Sequence, residues 1–74
     1  MLKELRSIIN TVLSNRDKKQ VDEINESTDL RNDIGMDSLD LAELTVRIEA
    51  KYDVDIFKDD IVNTVGEIIK KIDK

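Results

Sequence analysis

Residues 38–51 read SLDLAELTVRIEAK, and the spacing of their apolar side chains decides the fold. Wound at about 100° per residue, Leu41, Leu44, Ile48 and the following Tyr52 fall on one stripe, with Thr45 beside them. Leu39, Ala42, Val46 and Ala50 fall on the opposite stripe. Asp40, Glu43, Arg47 and Lys51 fill one flank between them, and Glu49 part of the other. One apolar stripe is enough to hold a surface helix on a core. The second is therefore open to two readings. Either the helix is central and buried on both sides, or Leu39, Ala42 and Val46 form an exposed docking strip bordered by Asp37, Asp40 and Glu43. The bulkier Leu41, Leu44, Ile48 and Tyr52 mark their own side as the core side. The smaller residues opposite suit a surface that must release its partner. Asp37 or Ser38 can cap the helix, whose first turn favours acid.

Outward from this helix, residues 2–14 place Leu2, Leu5, Ile8, Ile9, Val12 and Leu13 at one-sided helical spacing. Residues 15–36 are rich in turn formers and are expected to be a long loop anchored by Ile24, Leu30 and Ile34. Loops of that length inside a small domain usually have a function. Asp53 to Ile56 can be extended, and residues 58–63 suit a short helical turn or two. Thr64 with Glu67 three positions on predicts a capping box. It opens a last helix whose apolar face is Val65, Ile68, Ile69 and Ile72. Gly66, in that first turn, should cost up to roughly 1 kcal/mol relative to alanine. The expected architecture is all-α: a small four-helix bundle of three main helices plus one short helix, with a long first loop, forming one domain over residues 1–74.

Composition excludes several kinds of chemistry. The chain of 74 residues has no cysteine and no histidine. It can form no disulfide framework, no Ser-His or Cys-His nucleophilic system and no His-ligated metal site. Tyr52 and Phe57 are its only aromatic residues, too few for base-stacking surfaces. The formal charge of −5 is unevenly spread: +3 over residues 1–20, −9 over 21–60 and +1 over 61–74. Such a field repels nucleic acid and steers toward basic protein surfaces, although a solvated acidic face has the same composition. No apolar run approaches the length of a membrane span and no signal-peptide pattern opens the chain, so a cytoplasmic location is expected.

Residues 33–44 read DIGMDSLDLAEL, and here the chain resembles the acyl carrier protein family. Gly35-Met36-Asp37-Ser38-Leu39-Asp40, followed by an acidic helix containing Glu43-Leu44, is similar to the family's D-S-L site, where 4′-phosphopantetheine is esterified to the serine. The likeness continues through Ile48-Glu49-Ala50-Lys51-Tyr52-Asp53-Val54-Asp55-Ile56, and helix order and loop placement match over essentially the whole chain. The three letters D-S-L alone are common. Together with the glycine, the acidic helix, the long loop and the chain length they are specific. On residues alone, Ser38 at a helix start is exposed near unpaired N–H groups, where a phosphodiester meets the positive helix end. It can equally be a plain cap, unless Asp37 takes that role. Gly35 allows a left-handed turn or close approach by a modifying enzyme, or is an ordinary turn glycine.

The resemblance implies a carrier rather than an enzyme. Its reactive thiol would sit at the end of the arm on Ser38, which accounts for the missing cysteine. It implies docking through Asp37, Leu39, Asp40, Glu43 and Val46 on basic patches of a phosphopantetheinyl transferase and of acyl-loading, synthase or acyltransferase enzymes. A monomer is expected. It also implies that a bound acyl chain can fold into the bundle among Leu41, Ile48, Ile61, Val62 and Ile69, all of which suit ordinary core as well. Arg47 and Lys51 add positive charge to a helix that is more uniformly acidic in the family. Phe57 stands where many members have proline, and the segment near 57–63 is shorter than in fatty-acid carriers. These departures suggest a specialised carrier. An aminoacyl carrier (D-alanyl or peptidyl) and an unmodified helical adaptor are the alternatives. A calcium loop fails on spacing: with Gly35 at its sixth position, the first and twelfth fall on Leu30 and Leu41.

Overall fold

The computed structural model describes residues 1–57 and 62–73. Among the described residues, three helices account for the regular structure: α1 (Leu2–Asn15), α2 (Ser38–Tyr52) and α3 (Val65–Ile72). Among the described residues there is no strand, and one isolated antiparallel bridge pairs Asp29 with Thr64. The short helix expected over 58–63 falls mostly outside the described residues; Val62 and Asn63 are not helical. The extended reading of Asp53 to Ile56 gives way to a left-handed cap at Asp53 (φ 57°) and a turn at Ile56–Phe57.

The apolar stripes converge as their spacing requires. Leu5, Ile9, Val12 and Leu13 of α1 meet Leu41, Leu44 and Ile48 of α2 and Val65 and Ile68 of α3 in one core. Leu30, Met36, Ile56 and Val62 complete it from the connecting segments. Truncating any of the larger of these side chains to alanine costs about 2–5 kcal/mol in a typical core. Of the three expected loop anchors, Leu30 is fully buried, and Ile24 and Ile34 pack against the core while partly exposed. The question of the second stripe on α2 is settled: Leu39 and Val46 stand 66% and 67% exposed.

α1 ends in a way that matters for α2. Asp17 takes the left-handed conformation (φ 59°), its N–H donates to Ser14 O at 3.1 Å, and the Lys18 N–H donates back to Leu13 O at 2.8 Å. This is a Schellman closure with aspartate in the position that glycine usually fills. It turns Arg16 and Lys18 toward the start of α2. There Asp37 is the N-cap: its Oδ1 accepts from the Asp40 N–H at 3.0 Å, and Asp40 Oδ2 accepts from the Asp37 N–H at 3.0 Å. The reciprocal pair is a capping box built from two aspartates. Lys18 Nζ donates to Asp40 Oδ2 at 2.5 Å and lies 3.3 Å from Asp37 Oδ2. Arg16 Nε stands 3.6 Å from Asp40 Oδ1, an oxygen that accepts no hydrogen bond.

Asp40 is consequently 0% exposed. The sequence places it on an acidic flank of the docking strip; the structure removes it from the surface, because its carboxylate is consumed by the cap and by Lys18. Such an assignment needs the tertiary contact, since position alone leaves an N3 aspartate facing solvent.

The first loop is tied down at both ends of its course. Asn10 on α1 grips Val21 twice, its Nδ2 donating to Val21 O at 2.9 Å and its Oδ1 accepting from the Val21 N–H at 2.7 Å. Farther on, the loop caps α3: the Val65 N–H donates to Thr28 O at 3.0 Å and the Gly66 N–H to Glu26 O at 2.8 Å. Two of the orphan donors at that helix start are thus satisfied by loop carbonyls. Thr64 Oγ1 accepts from the Glu67 N–H at 3.3 Å, as predicted. The return half of the expected box goes elsewhere, the Glu67 carboxylate accepting from the Asn63 N–H and the Thr64 hydroxyl, both at 3.4 Å.

Gly66 therefore has a packing reason that helix propensity hides. A Cβ there would stand 2.8 Å from Glu26 O and 3.3 Å from Glu26 Cβ. Propensity alone predicts that Gly66→Ala gains up to about 1 kcal/mol. The close approach predicts a net loss of about 1–3 kcal/mol instead, read as a lower urea midpoint.

The cap carries a pH signature. The Asp40 backbone N–H, followed by the Lys18 ammonium, holds the Asp37 carboxyl below its ordinary value of 3.8. A folded-state value below the unfolded one means the carboxylate stabilises the fold above that range and ceases to as pH falls through it. Lys18, held above 10.5 chiefly by Asp40, works in the other direction and loses its contribution only as pH rises past that value. Asn remains a good cap, so Asp37→Asn isolates the charge. The gap in urea midpoint between wild type and Asp37→Asn should be constant from pH 6 to 5 and close below about pH 4.

Candidate functional site

Ser38 is the first residue of α2, and everything around it follows from Asp37 taking the cap. With Asp37 Oδ1 on the Asp40 N–H, the Ser38 side chain has no capping task. It is exposed, and its hydroxyl makes no hydrogen bond among the described residues. The N–H groups of a helix's first turn lack intrahelical acceptors, so they face whatever is bonded to that oxygen. Gly35, three residues back, is left-handed (φ +87°), with nothing within 4 Å of a Cβ built on it. The left-handed reading of this glycine is the one the backbone adopts, and what it needs there is the conformation rather than the space. It lets the chain pass from the Asp29–Ile34 turn, stitched by the Asp33 and Ile34 N–H groups donating to Asp29 O, into the α2 cap.

Leu39 and Val46 lie exposed on the same side of α2, with the exposed Ala42 between them. Together they form a small exposed apolar strip on α2. Its acidic border is different from the one the sequence suggests. Asp37 is half-exposed, and both Arg16 (3.4 Å) and Lys18 reach its Oδ2. Glu43 Oε2 accepts from Arg47 Nε at 2.9 Å and from Asn15 Nδ2 at 3.0 Å; the Asn15 amide, then Arg47, lower its carboxyl from the ordinary 4.5. Of the three acids expected at this border, one is buried and two are internally paired. Sequence reading missed Arg16, Lys18 and Asn15, which lie 19 to 28 residues away from the acids they hold. The one local signal was Arg47, four residues after Glu43.

The residues expected to receive an acyl chain divide as follows. Leu41, Ile48 and Val62 are in the core, and Ile69 packs on it half-buried. Ile61 lies outside the described residues. Beside Ser38 is an open hollow of ≈ 380 Å³ lined by Arg31, Ser38, Leu41, Ala42, Thr45 and Phe57. Among the described residues no helix is long and apolar enough to cross a membrane, and no cluster of acidic side chains is arranged to hold a metal ion. What the geometry offers is a free, reachable hydroxyl at a helix mouth, next to an apolar strip. A serine so placed fits esterification by a phosphate-bearing group.

Comparison with known proteins agrees. The family described as "Phosphopantetheine attachment site" matches residues 3–72. An acyl carrier protein of Sulfurovum sp. (strain NBC37-1) is 41% identical over 54 residues, covering 70% of this chain and 72% of that protein. An acyl carrier protein of Amoebophilus asiaticus (strain 5a2) is 35% identical over 54 residues, 70% of this chain and 68% of that one. With the exposed serine, the helical core and a match running over nearly its whole length, the chain belongs to the phosphopantetheine-bearing acyl carrier protein family.

Proposed function

We propose that Ser38 Oγ is the attachment point of 4′-phosphopantetheine and that this chain carries acyl groups between partner enzymes without itself catalysing their transfer. The observation that carries this reading is the unpartnered, solvent-facing Ser38 hydroxyl, left free because Asp37 caps α2. In the modification step the hydroxyl gives up its proton to the modifying enzyme. It forms one phosphoester bond as the adenosine bisphosphate part of coenzyme A leaves. When bound, the arm supplies a thiol that holds the cargo as a thioester. The chain's own residues supply the tether, the address and a high effective concentration of cargo at the partner's site.

The address is read mainly through Leu39 and Val46. Asp37 and Glu43 take part at the rim, where they steer basic partner surfaces only so far as Arg16, Lys18 and Arg47 leave their charge unscreened. The partners are a phosphopantetheinyl transferase and acyl-loading, synthase or acyltransferase enzymes. The pathway is fatty acid, polyketide or another specialised acyl-transfer biosynthesis. Leu41, Ile48, Val62 and Ile69 are the residues against which a long acyl chain would pack if it entered the bundle.

Incubation with a phosphopantetheinyl transferase and coenzyme A should raise the intact mass by one arm, and Ser38→Ala should abolish the gain. Ser38 is exposed and is not the cap, so the variant's stability should lie within about 0.5 kcal/mol of wild type. No mass gain on wild-type protein with several transferases would refute the assignment, and partner binding indifferent to Ser38→Ala would favour an adaptor. Leu39→Ala and Val46→Ala should each raise the KM for the transferase, up to about tenfold for about 1.4 kcal/mol of lost contact.

A further inference from the structure

The hollow beside Ser38 has an unusual occupant at its edge. Among the described residues, its walls are the side chains of Leu41, Ala42, Thr45 and Phe57, with Arg31 as the charged member. The Thr45 hydroxyl is already spent, donating to Leu41 O at 2.9 Å, which leaves the methyl to line the hollow. Arg31 is exposed, and its guanidinium makes no hydrogen bond and no ion pair among the described residues. Asp29, the anion whose ionisation it assists through space, is already engaged, its Oδ1 accepting from the backbone N–H groups of Arg31 (2.9 Å) and Asn32 (2.8 Å).

The backbone that presents Arg31 is fixed. Leu30 before it is fully buried, its N–H donates to Asn63 O at 2.8 Å, and the Asp29 N–H donates to Asp33 Oδ2 at 2.7 Å. A pre-placed arginine with no anion at ion-pair distance among the described residues, at the mouth of an apolar hollow that also contains the attachment oxygen, is complementary to an organic phosphodiester followed by a branched alkyl group. Arginine's planar fork suits phosphate oxygens two at a time.

We propose that this hollow is the resting seat of the arm's first segment. Arg31 pairs with the phosphodiester on Ser38, and the geminal methyl groups of the pantoyl unit lie on Ala42, the Thr45 methyl and Phe57. The proposal rests on attachment at Ser38. Arg31 is in this sense a positioning residue: it biases the direction in which the arm leaves α2, toward Phe57 rather than along Leu39. Seating the first segment lowers the number of arm conformations and keeps the charged phosphodiester off the docking strip.

The test uses wild type, Arg31→Gln and Arg31→Lys, each driven fully to the arm-bearing form and verified by intact mass. Two-dimensional NMR should show nuclear Overhauser contacts from the pantoyl methyls to the Ala42 and Thr45 methyls and the Phe57 ring in wild type. They should be lost in Arg31→Gln and partly restored in Arg31→Lys, which keeps the charge without the fork. The ³¹P shift of the phosphodiester should move between wild type and Arg31→Gln, and the difference should shrink as salt is added. Ala42→Leu, which fills the hollow from its other side without adding a charge that could pair with Arg31, should remove the Thr45 and Phe57 contacts with Arg31 intact. Fully loaded wild type with no such contacts, and a ³¹P shift that Arg31→Gln leaves unchanged, would overturn the seat while leaving attachment at Ser38 standing. An arm that never appears on wild type would overturn both.

Discussion

A single carboxylate, Asp40, stands at the junction on which the geometry of the site depends. Taking a charge out of water costs several kcal/mol unless partners replace the lost solvation. Here the partners are the Asp37 N–H and the Lys18 ammonium, with the Arg16 guanidinium close by. They come from three places in the chain: the α2 entry, the turn after α1 and the last residue before that turn. Because all three must meet at Asp40, the end of α1 is pinned to the start of α2. The left-handed Asp17 is the local deformation that makes this meeting possible. Both long helices in fact end on a left-handed aspartate, Asp17 after α1 and Asp53 at the end of α2.

The same junction shapes the function. A capping box assembled from Asp37 and Asp40 leaves the intervening Ser38 with no structural duty, so its hydroxyl is available for chemistry. Leu39, also enclosed by the box in sequence, is held outward. The pair proposed to carry the function is thus framed by the pair that carries the stability. The cations that neutralise the frame also reduce the negative field at the docking strip. An acidic chain need not present an acidic contact face. Of the charges around α2, Asp40 is hidden, and Asp37 and Glu43 are shared with Arg16, Lys18 and Arg47. On the proposed docking role, apolar contact is left as the larger part of recognition at this surface.

The first loop has a comparable economy. It crosses the bundle and delivers two backbone carbonyls to the start of α3, so the helix is capped from outside as well as by Thr64. The close passage over Gly66 explains a glycine that would otherwise weaken a short helix. Val21 and Met36 join Leu30 as anchors that periodicity could not find, because isolated apolar residues in an irregular segment have no period to detect.

Much was determined by the sequence itself. The stripe Leu41, Leu44 and Ile48, the spacing of α1, the Thr64 cap and the acidic entry to α2 are local patterns, and local patterns specify helices, their starts and their inward faces. The serine between Asp37 and Leu39 was legible for the same reason, as a motif in a defined local setting. Tertiary structure alone decided that Asp37 rather than Ser38 caps α2, that Asp40 is buried, that the acids of the strip are paired, and that Gly66 lies beneath Glu26. Most of these depend on groups far apart in the chain being brought within hydrogen-bonding or van der Waals distance, or on a choice between neighbours that only such a contact settles; the Arg47–Glu43 pair is local. Charge in a sequence is a count, whereas charge at a surface depends on which counter-ions folding brings beside it, and no periodicity encodes that.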